Sequence, residues 1–272
     1  MRVIVHLSDI HFGRIDPSTV QPLADAISSL RPHLLAVSGD LTQRARRTEF
    51  AEARRFLDAL PFPRLVVPGN HDVPLYNVFT RFATPLARYT HAITADLSPV
   101  HRDEEMIVVG VNTARSWTWG EGRINATQVE GIVAHLAGAP KGLIRIVVTH
   151  HPFDLPEGVK ETRLLGRAAM AMAKLATAGA DLFLAGHLHI SHIGHTAERY
   201  NIAGHSALVV QAGTVSTRSR GEQPSFNVLR VERPRISVER LVWDPGRLGF
   251  SAMAASHFVH TDDGWLAADV TS

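Results

Sequence analysis

Short apolar runs alternate with stretches of helical spacing through the first two thirds of the chain, and each run stops on residues that carry chemistry. Residues 3–7 predict a strand that stops in Ser8-Asp9-Ile10-His11, 33–38 a second that stops in Gly39-Asp40, and 64–67 a third that stops in Pro68-Gly69-Asn70-His71-Asp72. The pattern recurs at 143–149, which ends in His150-His151-Pro152, and at 181–185, which ends in Gly186-His187-Leu188-His189. Between them, Val20, Leu23, Ala24, Ile27 and Leu30 lie on one face of a helix over 17–30, stopped before Pro32. Phe50, Ala53, Leu57 and Leu60 do the same over 47–60, Asn125 caps a helix running to 136, and an Ala-rich helix is expected over 161–178.

Strands alternating with helices predict an α/β layer structure rich in parallel pairing. In such sheets, function gathers at the carboxyl ends of the strands. Residues 73–105 are less regular and rich in aromatic residues and Pro (Tyr76, Phe79, Phe82, Pro85, Tyr89). They predict a helical excursion and then a hairpin that forms a rim, a cap or a partner surface. A strand over 106–111 leads into a loop carrying Arg115, Trp117 and Trp119. Beyond His189, short alternating strands are expected over 198–202, 207–211, 226–232 and 236–243, either as a second sheet or continuing the first. Residues 245–272 are ambiguous and are expected to pack as a tail. With no internal repeat, low-complexity tract or linker, 1–272 reads as a single domain.

Composition narrows the chemistry. The 272 residues are 45% hydrophobic, enough for a sizeable core, and lack cysteine, which removes disulfides, thiolate metal sites and thiol nucleophiles together. The formal charge is only +2, and the pI of 9.3 reflects three Lys and three Tyr rather than a basic surface. No basic run with interleaved aromatics marks a nucleic-acid binder. No apolar stretch reaches the roughly 18–20 residues of a membrane span, and the N-terminus shows no signal-peptide pattern, so a cytoplasmic protein is expected.

Any metal must therefore be held by His, Asp, Glu or Asn. The strand ends offer Asp9, His11, Asp40, Asn70, His150, His187 and His189. His187 and His189 are two residues apart, so in an extended segment their side chains point the same way. Oxygen and imidazole donors suit first-row divalent ions, Mn, Fe, Co or Zn. Seven side chains exceed the needs of one open catalytic ion, and two ions sharing a carboxylate account for the count.

The ordered motifs Asp9-x-His11, Gly39-Asp40, Gly69-Asn70-His71-Asp72, His150-x-Pro152 and Gly186-His187-x-His189 resemble the calcineurin-like metallophosphoesterase superfamily. The resemblance implies a four-layer α-β-β-α sandwich of two mixed sheets flanked by helices. It implies that Asp9, His11 and His189 bind one divalent ion, that Asp40 bridges, and that Asn70, His150 and His187 complete the second site. His71 would contact the phosphate as an acid or charge stabiliser, oriented by Asp72. His151 would point away across the strand end, in a supporting or structural role.

Gln43 stands where purple acid phosphatases carry a tyrosine ligand, and Gly39 to Arg44 does not match the protein phosphatase motif. The start of the chain, with the later 211–214 and 225–228 runs, looks most like the bacterial cyclic-nucleotide and glycerophosphodiester phosphodiesterase group. That resemblance implies hydrolysis of a small-molecule phosphodiester by a hydroxide held between two metals. A nucleotide pyrophosphatase, nuclease or phosphomonoesterase using the same site is the alternative, and a non-catalytic metal-binding scaffold the alternative of another class. Members are often homo-oligomers, with 73–105 as the segment for an interface or cap. His6 reads as a hydrogen-bonded core residue; His192, His195 and His205 as solvated turn residues; Arg115 and its neighbouring Trp as loop packing or a phosphate or base contact; and Arg44, Arg46 and Arg47 as a solvated helix start.

Overall fold

In the computed structural model, which describes all residues except Trp119, Asn201, Ala203, Gly204 and 269–272, the elements to the second histidine pair are as follows. They are β1 (Arg2–Leu7), α1 (Pro17–Leu30), β2 (Leu34–Ser38), α2 (Arg47–Asp58), β3 (Arg64–Val67), α3 (Val78–Ala83), α4 (Ala87–Ala92), β4 (Val100–Arg102), β5 (Met106–Gly110), α5 (Ala126–Ala137), β6 (Ile144–Val148), α6 (Ala168–Thr177) and β7 (Leu182–Ala185). Then come β8 (His192–His195), α7 (Thr196–Tyr200), β9 (Leu208–Gln211), β10 (Ser225–Glu232), β11 (Arg235–Asp244), β12 (Gly249–Ala252), β13 (Ser256–Thr261) and β14 (Gly264–Ala267).

The period of two along fully apolar strands sets the layers. Ile4, Leu34, Ala36, Leu65 and Val67 from β1 to β3 face Val108, Ile146, Val148, Leu184 and Val210 from the other sheet in one buried cluster. Their neighbours Val5, Leu35, Val37 and Val66 turn outward onto Leu23 and Ile27 of α1 and Phe50, Ala53 and Leu57 of α2. On the far side Ile107, Val109, Val147 and Phe183 turn outward onto Val129 and Ile132 of α5 and Met172 and Leu175 of α6. The result is the four-layer sandwich of two mixed sheets flanked by helices. Among the described residues one sheet runs β14-β13-β11-β10-β1-β2-β3, with β12 on β11, and the other β4-β5-β6-β7-β9-β8.

Local chemistry places the helix ends. Asp16 accepts from Ser18 N at 2.9 Å ahead of Pro17, and Arg31 closes α1 in the left-handed region before Pro32. Asn125 and Gln128 cap α5 reciprocally, Gln128 N to Asn125 Oδ1 at 2.8 Å and Asn125 N to Gln128 Oε1 at 3.1 Å.

Three expectations are corrected. The helix expected over 161–178 begins only at Ala168: Glu161–Arg163 is an isolated 3-10 turn, Gly166 N bonds Gly122 O at 2.9 Å, and Arg167 is left-handed at φ 68°. The strand expected over 198–202 is helix α7 as far as Tyr200, with Arg199 bonded to Asp154 and Glu161; Asn201 lies outside the described residues. The expected tail is β12 to β14, an antiparallel extension of the first sheet that buries Trp265, whose Nε1 donates to Asp181 Oδ1 at 2.9 Å. The excursion over 73–105 holds two short helices and β4, which forms a hairpin with β5 just beyond it. Among the described residues no helix is long and apolar enough to cross a membrane.

Candidate metal centre

The carboxyl ends of β1, β2, β3, β6 and β7 meet at one edge of the sandwich, and all seven candidate ligands lie there. Parallel pairing of β1 with β2 continues past both strand ends, through Asp9 N to Gly39 O at 3.1 Å and His11 N to Asp40 O at 3.0 Å. Bonds that cross between the sheets include His150 Nδ1 with Ser38 O at 2.7 Å and His187 N to Asp9 Oδ2 at 2.9 Å.

The backbone is bent to bring them together. Asp9, His11, Asp40, His187 and His189 all have φ between 50° and 74°, the left-handed region. Each such non-glycine residue costs on the order of 1–3 kcal/mol, and such strain clusters at functional sites. The glycines in the motifs have a matching reason. Gly39 is at φ 91° and a Cβ there would lie 2.7 Å from His150 Nδ1; a Cβ on Gly69 would overlap Asp40, and one on Gly186 would overlap Ser8 and Asp9.

The donors form two nests. In the first, His189 Nε2 is 3.1 Å from Asp9 Oδ1 and 3.2 Å from His11 Nε2, and His11 Nε2 is 3.6 Å from Asp40 Oδ2. In the second, His150 Nε2 is 3.4 Å from the same Asp40 Oδ2 and 3.1 Å from Asn70 Oδ1, which is itself 3.1 Å from His187 Nδ1. Donors held about 2.0–2.2 Å from one ion sit about 3.0–3.5 Å from one another. Asp40 Oδ2 therefore faces both nests.

Proton bookkeeping fits a cation. The Nδ1 atoms of His11, His150 and His189 lie 3.2, 2.7 and 2.8 Å from the carbonyls of Thr42, Ser38 and Arg218. A carbonyl only accepts, so each Nδ1 carries a proton and Nε2 is the nitrogen that would be offered to a metal. Asp9 Oδ1 is buried among these nitrogens with no hydrogen-bond donor among the described residues. Two imidazole nitrogens and a carboxylate oxygen facing one point form a group that could hold a metal ion.

Residues 2–191 match the calcineurin-like phosphoesterase family, a span that includes every residue of both nests. The chain belongs to that family. A glycerophosphodiester phosphodiesterase, GpdQ, of Enterobacter lignolyticus is 39% identical over 83 residues, 26% of this chain and 29% of that protein. The match thus spans less than a third of the relative's length. Among solved structures, a dimetal phosphatase from Danio rerio superposes with TM-score 0.65 at 14% identity, covering 93% of this chain and 98% of that one. A purple acid phosphatase from yellow lupin, Lupinus luteus, superposes with TM-score 0.67 at 11% identity over all of this chain and 57% of the other. At these identities the structural likeness is one of fold.

Within this calcineurin-like fold the two nests differ electrostatically when metal-free. Burial opposes charge on His150, but Asp40 outweighs it and raises the imidazole to about 9. Burial and the neighbouring His150 hold His187 down at about 3. His189 is raised by Asp9 against its burial. Burial would lift Asp9 and Asp40, but the imidazoles around them, His189 and His150 foremost, hold both well below the usual carboxylate range.

His71 stands beside the first nest, 4.9 Å from His11 ring to ring. Its ring is not oriented by Asp72, a correction to the sequence expectation. Its Nδ1 lies 2.8 Å from Gln43 O, while Asp72 accepts from Leu41 N, Thr42 N and Gly69 N at 3.2, 2.9 and 2.9 Å and so ties the loops after β2 and β3 together. Burial and then Asp40 push Asp72 up to about 7 against those donors, and burial lowers His71. His151 does not point away. Its ring lies 4.6 Å from that of His187, Nδ1 is 2.9 Å from Thr113 Oγ1, and Nε2 is buried without a partner among the described residues.

Arg115 is held within its loop by Asn112 O, Ala114 O and Gln128 Oε1; Trp119 lies outside the described residues. His192 faces Asp154 at 3.6 Å, and His6 bonds Ser38 Oγ at 2.9 Å in the core. Sequence reasoning missed Arg218, whose Nη1 is 2.9 Å from His71 Nε2 and 3.4 Å from His11 Nε2. It lies far along the chain in an irregular loop after β9, and nothing in its local spacing marks it.

Proposed function

We propose that this chain hydrolyses a small phosphodiester with two divalent ions, Mn, Fe, Co or Zn. Asp9, His11, Asp40 and His189 hold one ion, and Asp40, Asn70, His150 and His187 the other. The observation that carries the reading is the single oxygen of Asp40 facing both nests, 3.6 Å from His11 Nε2 and 3.4 Å from His150 Nε2. Family membership and the partial likeness to a glycerophosphodiester phosphodiesterase support it. Bound ions of this kind supply positive charge for the phosphoryl oxygens and acidify water into a nucleophile near neutral pH.

The chain's own groups do the rest. Carbonyls of Thr42, Ser38 and Arg218 fix three ligand imidazoles in the tautomer that binds through Nε2. With its proton on Nδ1 toward Gln43 O, His71 can take up at Nε2 the proton that the attacking water loses and return it to the leaving alkoxide. Asp72 keeps the loops after β2 and β3 in register and thereby sets the position of His71 relative to Asp40, whose Oδ1 takes His71 N at 2.8 Å.

Beside His71 lies a cavity of about 160 Å³ lined by Gln43, Arg44, Asn70, Val73, Leu75 and Arg81. It is below the ~300–1,000 Å³ of sites for drug-sized ligands and suits a short polar leaving group such as glycerol. The test is a panel of glycerophosphodiesters, cyclic nucleotides, dinucleotides and monoesters offered to the Mn-loaded protein. The reading expects diesters to be turned over faster than their monoesters. Failure to hydrolyse any diester, with both ions bound, would overturn it.

A further inference from the structure

The guanidinium of Arg218 lies beside the first nest, against His71 and His11. Among the described residues no carboxylate comes within ion-pair distance of it. Its polar neighbours on the site are two imidazole nitrogens, His71 Nε2 at 2.9 Å and His11 Nε2 at 3.4 Å. Arginine stays charged, and a partly buried guanidinium whose nearest partners are imidazole nitrogens rather than carboxylates is poorly compensated. Burial works most strongly against its charge; Asp40 and then Asp9 favour it across the site, and Arg44 and Arg220 oppose it more weakly.

The backbone that carries Arg218 is tied down. Thr217 donates N–H and Oγ1 to Arg14 O at 3.1 and 2.7 Å, Arg218 N donates to Ser216 Oγ at 3.3 Å, and Arg218 O receives His189 Nδ1 at 2.8 Å. One residue thus steadies a candidate ligand through its main chain and sets its guanidinium against His71 and His11 at the first nest. A cation in the first nest takes the His11 lone pair, which leaves Arg218 facing positive charge unless an anion lies between them.

Resting on the phosphodiesterase reading above, we propose that Arg218 is a substrate-binding residue that grips a non-bridging oxygen of the phosphate opposite the two ions. A guanidinium fork suits this role, because charge-assisted bonds to phosphate are shorter and stronger than bonds to neutral imidazole. In the resting site the side chain waits on His71, and the phosphate replaces His71 as its partner.

The experiment uses the Mn-loaded protein and inorganic phosphate as the probe, with binding followed by calorimetry and KM and kcat measured on a chromogenic phosphodiester. Arg218→Gln is expected to weaken phosphate binding by about 10-fold or more and to raise KM, with two ions still bound per chain. Arg218→Lys is expected to recover part of the loss, keeping charge without the fork. Phosphate affinity within twofold of the unsubstituted protein in Arg218→Gln would overturn the proposal. So would loss of a metal ion in that variant, since it would make the side chain a support of the nest. Should the unsubstituted protein bind phosphate but cleave no diester, the proposed function fails while the role of Arg218 in binding phosphate is still decided by the calorimetry.

Discussion

The first nest brings two carboxylates, Asp9 and Asp40, to one point; the second brings only Asp40, with the amide oxygen of Asn70 in place of the other. The first also has a buried oxygen, Asp9 Oδ1, without a hydrogen-bond partner among the described residues, and two imidazoles that both turn Nε2 inward. The second mixes His150 through Nε2 with His187 through Nδ1, and its two imidazoles titrate at about 9 and about 3 when metal-free. One more negative charge at contact distance strengthens cation binding far more than an amide dipole does. On the proposed assignment, the two ions therefore bind with unequal affinity, the first nest filling before the second.

The largest effect should come from the residue the nests share. Asp40→Ala is expected to empty both in metal analysis and to lower turnover by on the order of 10³-fold or more, since several kcal/mol of charge stabilisation go with the ions. Next come changes private to one nest. Asn70→Ala should weaken one ion by at least about 10–100-fold and spare the other, while Asp9→Asn should weaken the tighter one. Titration calorimetry of Mn into each variant distinguishes them; equal losses at both steps in Asn70→Ala would contradict the inequality.

Smaller still is a proton count. Filling the second nest near pH 7.5 should release roughly one proton, because His150, raised to about 9, must give up its charge to bind a metal. Binding heats compared in two buffers of different ionisation enthalpy report it. The metal-free protein shows the same contrast as stability. The unfolded reference for both histidines is about 6.5. The His150 share of stability is complete below that value and is lost as pH rises through about 9. The His187 share is complete above the reference and is lost as pH falls toward about 3, because the unfolded chain then binds the extra proton. Urea midpoints measured across pH in chelator should fall on both sides.

The smallest effect concerns His151. Thr113→Val removes the hydroxyl 2.9 Å from its Nδ1, and should cost about 1 kcal/mol of stability with metal content unchanged. A changed affinity at the second nest would instead bring His151 into that nest.

The residues that gather in the two nests were legible in the sequence because each sits at the end of an apolar strand, and strands buried on both faces announce themselves by composition alone. The partners that fix those ligands were not legible. Gln43 and Arg218 act on His71 and His189 through backbone carbonyls, which any residue supplies, and the orienting role expected of Asp72 failed for the same reason. In the fold, the helix over 161–178 was overestimated because Ala-rich spacing outweighed one Gly, and the strands after 245 were missed because half-exposed edge strands lack a continuous apolar run.

The central claim is that one oxygen of Asp40 joins two metal sites, and electron paramagnetic resonance of the protein loaded with two equivalents of Mn(II) tests it most directly. A shared carboxylate predicts an exchange-coupled pair in the parent protein, with the coupled spectrum absent at one equivalent. A spectrum at two equivalents that is only the sum of isolated Mn(II) ions would contradict it.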